Sequence, residues 1–143
     1  MTENTSHNRP FSGVIARLKQ AGLRPTRQRI ALAKLLFEGE NRHVTAEELH
    51  AEAREAGVSV SLATIYNSLN QFTEAGIMRE VVVEAGRSYF DTNTGDHHHF
   101  FHEDTGCLED IPCELINVSA LPAAPSGKSV QRVDVIVRVS ADD

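Results

Sequence analysis

The sequence predicts an α+β protein, with an N-terminal winged helix-turn-helix domain over residues 1–90 and a small α/β domain over residues 91–143. Three observations carry this. Four segments before residue 77 space their apolar residues at helical intervals, a β-hairpin pattern follows them directly, and composition shifts beyond Asp91 toward acidic, strand-like sequence. Helices followed at once by a hairpin give the winged order, with the last helix in the position that reads a nucleic-acid groove.

The elements follow in chain order. From Ser12 to Ala21, the residues Val14, Ile15, Leu18 and Ala21 recur on one helical stripe, and Gly22 stands where a helix stops. A second helix begins near Thr26, after Pro25, with Ile30, Ala33, Leu36 and Phe37 inward and its arginines outward. Thr45 and Glu48 in TAEE form a capping box that opens a third helix, with Leu49, Ala53 and Ala56 on its buried side and Gly57 at its end. Ser61 caps a fourth helix, whose stripe is Leu62, Ile65, Leu69 and Phe72. Ile77 to Val83 and Arg87 to Phe90 pair across a turn at Ala85-Gly86 as the hairpin. TNTGD reads as a linker. A strand, a turn at Asp104-Thr105-Gly106 and a returning strand are expected next, then a short helix over Leu115 to Leu121, a PAAPSG loop and a strand over Val130 to Val139. This second unit has open sheet edges, which invite pairing with another copy as a homodimer.

Charge is unevenly spread. The net charge of −6 hides eleven Lys/Arg against ten Asp/Glu in residues 1–90, and three against ten in residues 91–143. Between Pro10 and Phe37 stand six basic residues, Arg17, Lys19, Arg24, Arg27, Arg29 and Lys34, and no acid. Such a local patch suits phosphate contact, so double-stranded DNA is the expected partner, with Arg24, Arg27 and Arg29 facing it. On the exposed face of the fourth helix, Ser61, Thr64, Tyr66 and Asn67 can reach phosphates and base edges. No apolar run approaches the roughly eighteen residues of a membrane helix, and the polar start MTENTSHNRP lacks the apolar core of a signal peptide. A cytoplasmic protein is expected, a setting that favours free thiols at Cys107 and Cys113.

Four of the seven histidines fall in DHHHFFH, residues 96–102. On a strand, His97 and His99 share one face and His98 points away. Two imidazoles at chelating distance suit Fe, Zn, Cu or Ni, and the carboxylates of Asp91 and Asp110, if the hairpin brings them near, tilt the set toward Fe(II) or Mn(II). Haem is the other candidate ligand of this run. No catalytic pattern accompanies it: GxSxG, GxxxxGK[ST] and HExxH are all absent, so no enzyme is expected.

AGLRPTRQRIALAKLL, HVTAEELHAEA, SLATIYNSLNQFTEAGI and HHHFFHEDTGCLEDIP, taken in order, strongly resemble the ferric uptake regulator superfamily, from about Leu18 to Val139. DTNTGDHHHFF and the closing VDVIVRV look most like the iron response regulator of alphaproteobacteria, which reads iron status through haem. The resemblance implies a five-ligand regulatory metal site at His43, Asp91, His97, His99 and Asp110, joining the two domains, and haem ligation by the triplet His97, His98 and His99. It further implies a homodimeric, iron- or haem-responsive repressor that binds an AT-rich promoter element and controls iron uptake and haem synthesis. A peroxide- or Mn/Fe-sensing repressor of the same superfamily shares every one of these residues. Departures are informative. His102 and Thr105 stand where many relatives place a first CxxC pair and the second pair is missing, which argues against a structural zinc; Asn67 replaces a common arginine in the recognition helix.

Overall fold

The structure, a computed structural model, describes residues 12–142. The polar stretch MTENTSHNRP lies outside the described residues. Two compact units divide between Thr94 and Gly95.

The first unit holds four helices, α1 (Ser12–Gln20), α2 (Arg27–Phe37), α3 (Ala46–Glu55) and α4 (Leu62–Glu74), and three strands, β1 (His43–Val44), β2 (Arg79–Glu84) and β3 (Arg87–Asp91). The two caps expected from sequence, at Thr45 and Ser61, are formed, and Thr26, near which the second helix was expected to begin, is a third. Thr26 accepts the Arg29 N–H, Ser61 accepts the Thr64 N–H, and Thr45 with Glu48 makes a reciprocal box. Each satisfies donors that a helix start leaves without a partner. Gly57, at φ 76°, ends α3 in the left-handed region and lets Val58 N–H return to the Ala53 carbonyl at 2.8 Å.

The apolar stripes converge on one core. Leu18, Leu32, Leu36, Leu49, Ile65, Leu69 and Phe72 are wholly buried, so each helix presents one face inward and the sheet residues Val44 and Phe90 close the bottom. Ala56 departs from its expected buried place; it is the exposed C-cap of α3, and Ala46 fills the stripe instead. Phe37 tilts against Phe72 at 5.9 Å and carries the Arg17 guanidinium over its ring at 4.4 Å, so one of the basic residues also serves packing.

The sheet order is β1-β3-β2. Two-residue β1 was not expected, since it is too short to show alternation. It pairs antiparallel with β3, setting His43 opposite Asp91, while β2 on the other side sets Arg79 opposite the same aspartate. A boundary after Phe90 would therefore cut β3 before its last residue; the units part at Thr94–Gly95.

The second unit is a sheet ordered β5-β4-β6, with β4 (His97–His102) antiparallel to β5 (Cys107–Pro112) and parallel to β6 (Ile136–Val139). The turn between β4 and β5 closes on Gly106, φ 74°, whose N–H reaches the His102 carbonyl at 2.7 Å. Two expectations fail here. Leu115 to Leu121 is no helix: a single 3-10 turn at Cys113–Leu115 leads into an extended segment, because Pro122 and Pro125 follow within a few residues and Val118 is β-branched. The last strand spans only Ile136–Val139, paired with His99–His102; just before it, the Val135 N–H is taken by the His98 imidazole instead of a backbone carbonyl of β4.

Candidate nucleic-acid interface and metal centre

The exposed side of α4 is built from its cap outward. Ser61 is occupied as the cap: its hydroxyl accepts the Thr64 N–H at 3.1 Å and donates to Thr64 Oγ1 at 3.0 Å. Tyr66, 40% exposed, and Asn67 stand one turn further along. The Tyr66 hydroxyl donates to Glu47 Oε2 of α3 at 2.9 Å, and that carboxylate raises the phenol's ionisation above the usual tyrosine range.

A groove of about 460 Å³ between α2 and α4 is lined by Arg24, Arg29, Thr64, Asn67 and Gln71. It brings two of the three predicted arginines beside two of the predicted α4 residues. Arg27 lines a separate groove with Ile30, Lys34 and Val58. Arg29 is not a loose surface cation. Its Nη1 donates to the Arg24 carbonyl at 3.0 Å and its Nη2 to Gln71 Oε1 at 2.9 Å, so the guanidinium braces α4 against the start of α2. Glu47 and Gln71 were not found from sequence. The capping box placed Glu47 in an exposed first turn, but nothing along the chain signals a partner 19 residues away.

The predicted metal ligands fall in both units. In the first, His43 and Asp91 are cross-strand neighbours on β1 and β3. Asp91 Oδ1 accepts the Asn93 N–H at 2.9 Å, which fixes the carboxylate at the strand end. A clip beside them holds the register: Arg42 N–H donates to Thr92 Oγ1 and Thr92 N–H returns to the Arg42 carbonyl, both at 2.9 Å. The Arg42 side chain then reaches α3, with Nη1 and Nη2 on the two oxygens of Glu52 at 2.9 and 2.5 Å. That bidentate bond raises the guanidinium's pKa further above its ordinary value.

In the second unit, His97 and His99 lie on one face of β4, their rings 4.6 Å apart and edge to face. Both aim at one carboxylate: Nε2 of His97 is 3.6 Å, and Nε2 of His99 3.5 Å, from Oδ1 of Asp110, the residue opposite His99 on β5. Adjacent donors around an ion held at about 2.1 Å are roughly 3.0–3.4 Å apart, so each imidazole–carboxylate pair is close to ligand spacing. Imidazole nitrogen with carboxylate oxygen is a set suited to Fe, Mn or Zn.

Tautomers separate the three histidines. The Gly95 carbonyl lies 2.7 Å from His97 Nδ1 and can only accept, so Nδ1 carries the proton and Nε2 keeps its lone pair toward Asp110. His97 is thus oriented as a ligand. In His98 the arrangement reverses: Nδ1 accepts the Val135 N–H at 3.1 Å, which leaves the proton on Nε2. To ligate haem through either nitrogen, His98, one of the haem ligands expected from sequence, would have to give up Val135. His102, where a zinc-binding cysteine was missing, faces Glu109 Oε1 at 2.9 Å.

A family model described as the ferric uptake regulator family matches residues 20–137. Over 82 residues the chain is 44% identical to the ferric uptake regulation protein of Shigella flexneri, a span covering 57% of this chain and 55% of that one. The chain therefore matches little more than half the length of that relative. Among solved structures it is similar to a ferric uptake regulator from Pseudomonas aeruginosa with manganese, at TM-score 0.66 and 26% identity over 90% of this chain and 97% of that one. It is also similar to the Vibrio cholerae ferric uptake regulator, whose structure shows a rearrangement of its DNA-binding domains, at TM-score 0.70 and 25% identity over 90% and 99%.

Proposed function

The chain belongs to the ferric uptake regulator family, and from that premise we propose that it is a metal-responsive, DNA-binding transcription regulator acting as a cytoplasmic homodimer rather than an enzyme. One observation carries the sensing half of this reading: two imidazoles on one face of β4 converge on the Asp110 carboxylate. His43, Asp91, His97, His99 and Asp110 together supply three nitrogen and two carboxylate donors, a mixed set that fits Fe(II) or Mn(II). The bound ion acts as a charge that draws these ligands together, and its occupancy sets how the DNA-reading helices are presented.

On the DNA side, α4 enters the major groove with Tyr66 and Asn67 at base edges, and Arg24 and Arg27 contact phosphates. Arg29 contributes by holding α4 through Gln71. The target is an AT-rich, pseudo-palindromic promoter element, because a two-fold dimer reads two half-sites. Support for the dimer comes from the second unit. β5 and β6 are edge strands, and Leu115, Val118, Leu121 and Val130 are exposed.

The finer reading is an iron or haem signal that relieves repression of iron-uptake and haem-synthesis genes. Haem, where it binds, takes His97 or His99, whose Nε2 atoms face Asp110, in preference to His98, whose Nδ1 lone pair is committed to Val135.

A mobility-shift experiment tests the proposal. Purified chain is mixed with a randomised duplex pool, with Mn(II), with haem and with neither, and retained sequences are read. Enrichment of a two-fold-symmetric element whose retention depends on Mn(II) or haem is expected. Retention that ignores both, or enrichment of no sequence, overturns it.

A further inference from the structure

α3 and α4 meet across an exposed pair that packing does not require. Thr45 and Glu48 use the capping box to satisfy the first turn of α3, which leaves Glu47, next in line and exposed, pointing at α4. There its Oε2 accepts a hydrogen bond from the Tyr66 hydroxyl at 2.9 Å. Tyr66 is 40% exposed and lies on the flank of α4 beside the buried stripe Ile65, Leu69 and Phe72.

A phenol has one O–H to donate and lone pairs that accept. With the donor spent on a carboxylate, the oxygen of Tyr66 offers an incoming duplex only acceptor capacity, and the ring offers an apolar edge. We infer that Glu47 is a specificity-determining positioning residue: it converts Tyr66 from a donor into an acceptor, so that the tyrosine selects bases with a major-groove amino group or a thymine methyl. Adenine N6 and cytosine N4 are the amino groups exposed there. Guanine O6 and N7 and the phosphate oxygens, which are acceptors alone, gain nothing from such a tyrosine. Glu47 also sets one negative charge beside Tyr66, and like charge disfavours backbone contact to any sequence. Its two effects add: base preference from the committed proton, and weaker binding to random DNA from the charge.

This inference rests on the DNA-binding reading above, and the test separates the two. The full chain, with and without Mn(II), is used to select duplexes from a randomised pool, and the condition that selects is kept throughout. The selected duplex and a scrambled one of the same composition are then titrated with wild type, Glu47→Gln, Glu47→Ala and Tyr66→Phe. Glu47→Gln keeps an acceptor for the phenol and loses the charge, so random-duplex affinity rises while the selected sequence stays the same. Glu47→Ala frees the hydroxyl, so the ratio of selected to scrambled affinity falls roughly five- to tenfold and guanine or phosphate contacts become permitted. In the Tyr66→Phe background, Glu47→Ala changes that ratio no more than the loss of charge in Glu47→Gln does. Ultraviolet titration of the phenol provides a readout independent of DNA: Tyr66 ionises above the ordinary range in wild type and returns toward it in Glu47→Ala. An unchanged ratio and an unchanged selected sequence in Glu47→Ala overturn the inference. Failure of the wild type to select any duplex overturns the DNA-binding reading instead.

Discussion

The Nδ1 atom of His98 accepts the backbone N–H of Val135 at 3.1 Å. The bond ties the middle of β4 to the segment entering β6, next to the Ile136 that pairs with His99. His98→Ala leaves that N–H without its acceptor, a loss of about 1 kcal/mol in a two-state unfolding measurement. Mn(II) affinity by calorimetry stays within about twofold, and the Soret band of added haem is the same as in wild type. A lost Soret band in this variant alone would restore His98 as a haem ligand.

His97 behaves differently. Its Gly95 bond holds Nε2 toward Asp110, so His97→Ala, His99→Ala and Asp110→Asn should each lower Mn(II) affinity by at least about tenfold. His43→Ala should do the same without unfolding the protein, because β1 keeps its clip through Arg42 and Thr92. Calorimetric titration beside a thermal melt distinguishes ligand loss from unfolding.

Arg42 tests the link between β1 and α3. Its pair with Glu52 is about one-third exposed on each side, so Arg42→Ala costs only about 0.5–1 kcal/mol after solvent screening. The sign with pH follows from the raised guanidinium pKa. A group whose pKa is higher in the folded state contributes fully below its unfolded value and loses that contribution only as pH climbs through the folded one. The unfolded value is already far above neutral pH and the folded one is higher still, so the protonation of Arg42 itself adds no pH dependence between about pH 6 and pH 9. Denaturation at both values, comparing wild type with Arg42→Lys, which keeps a cation and loses the fork, measures it.

Thr45 caps α3, and Thr45→Ala removes the half of the box that its hydroxyl makes with the Glu48 N–H, at a cost of about 1 kcal/mol, whereas Thr45→Ser keeps both halves. Since Glu47 sits in the same first turn, Thr45→Ala should also lower the phenol ionisation of Tyr66 toward its ordinary value. Spectroscopic titration reads that shift; an unmoved phenol would show that Glu47 is held by something other than the cap.

What could be read along the chain was what repeats locally. The α4 stripe of Ile65, Leu69 and Phe72, the caps at Thr45 and Ser61, and the alternation of His97 with His99 all concern neighbours within four residues, and the structure forms each of them. Pairs made by tertiary placement left no local trace: Glu47 with Tyr66, Arg29 with Gln71, and Arg42 with Glu52, which is ten residues on but across a strand and a turn. The helix expected at Leu115–Leu121 fails because its apolar spacing outweighed two prolines just beyond it. The direction of each imidazole proton was likewise invisible, since it depends on Gly95 and Val135 rather than on the histidines.

Three identical residues in a row say little about how a strand should align. Sliding β4 by one place against β5 would turn His98 toward Asp110 and rotate His97 and His99 away, exchanging the imidazoles that face the carboxylate while conserving the composition. The tight turn at Gly106 and the unlike neighbours Phe100 and Phe101, one half-buried and one fully buried, break that degeneracy. A single-residue insertion between His102 and Gly106 should therefore be far more damaging than its distance from any ligand suggests, because it misprints the alignment of the whole histidine run.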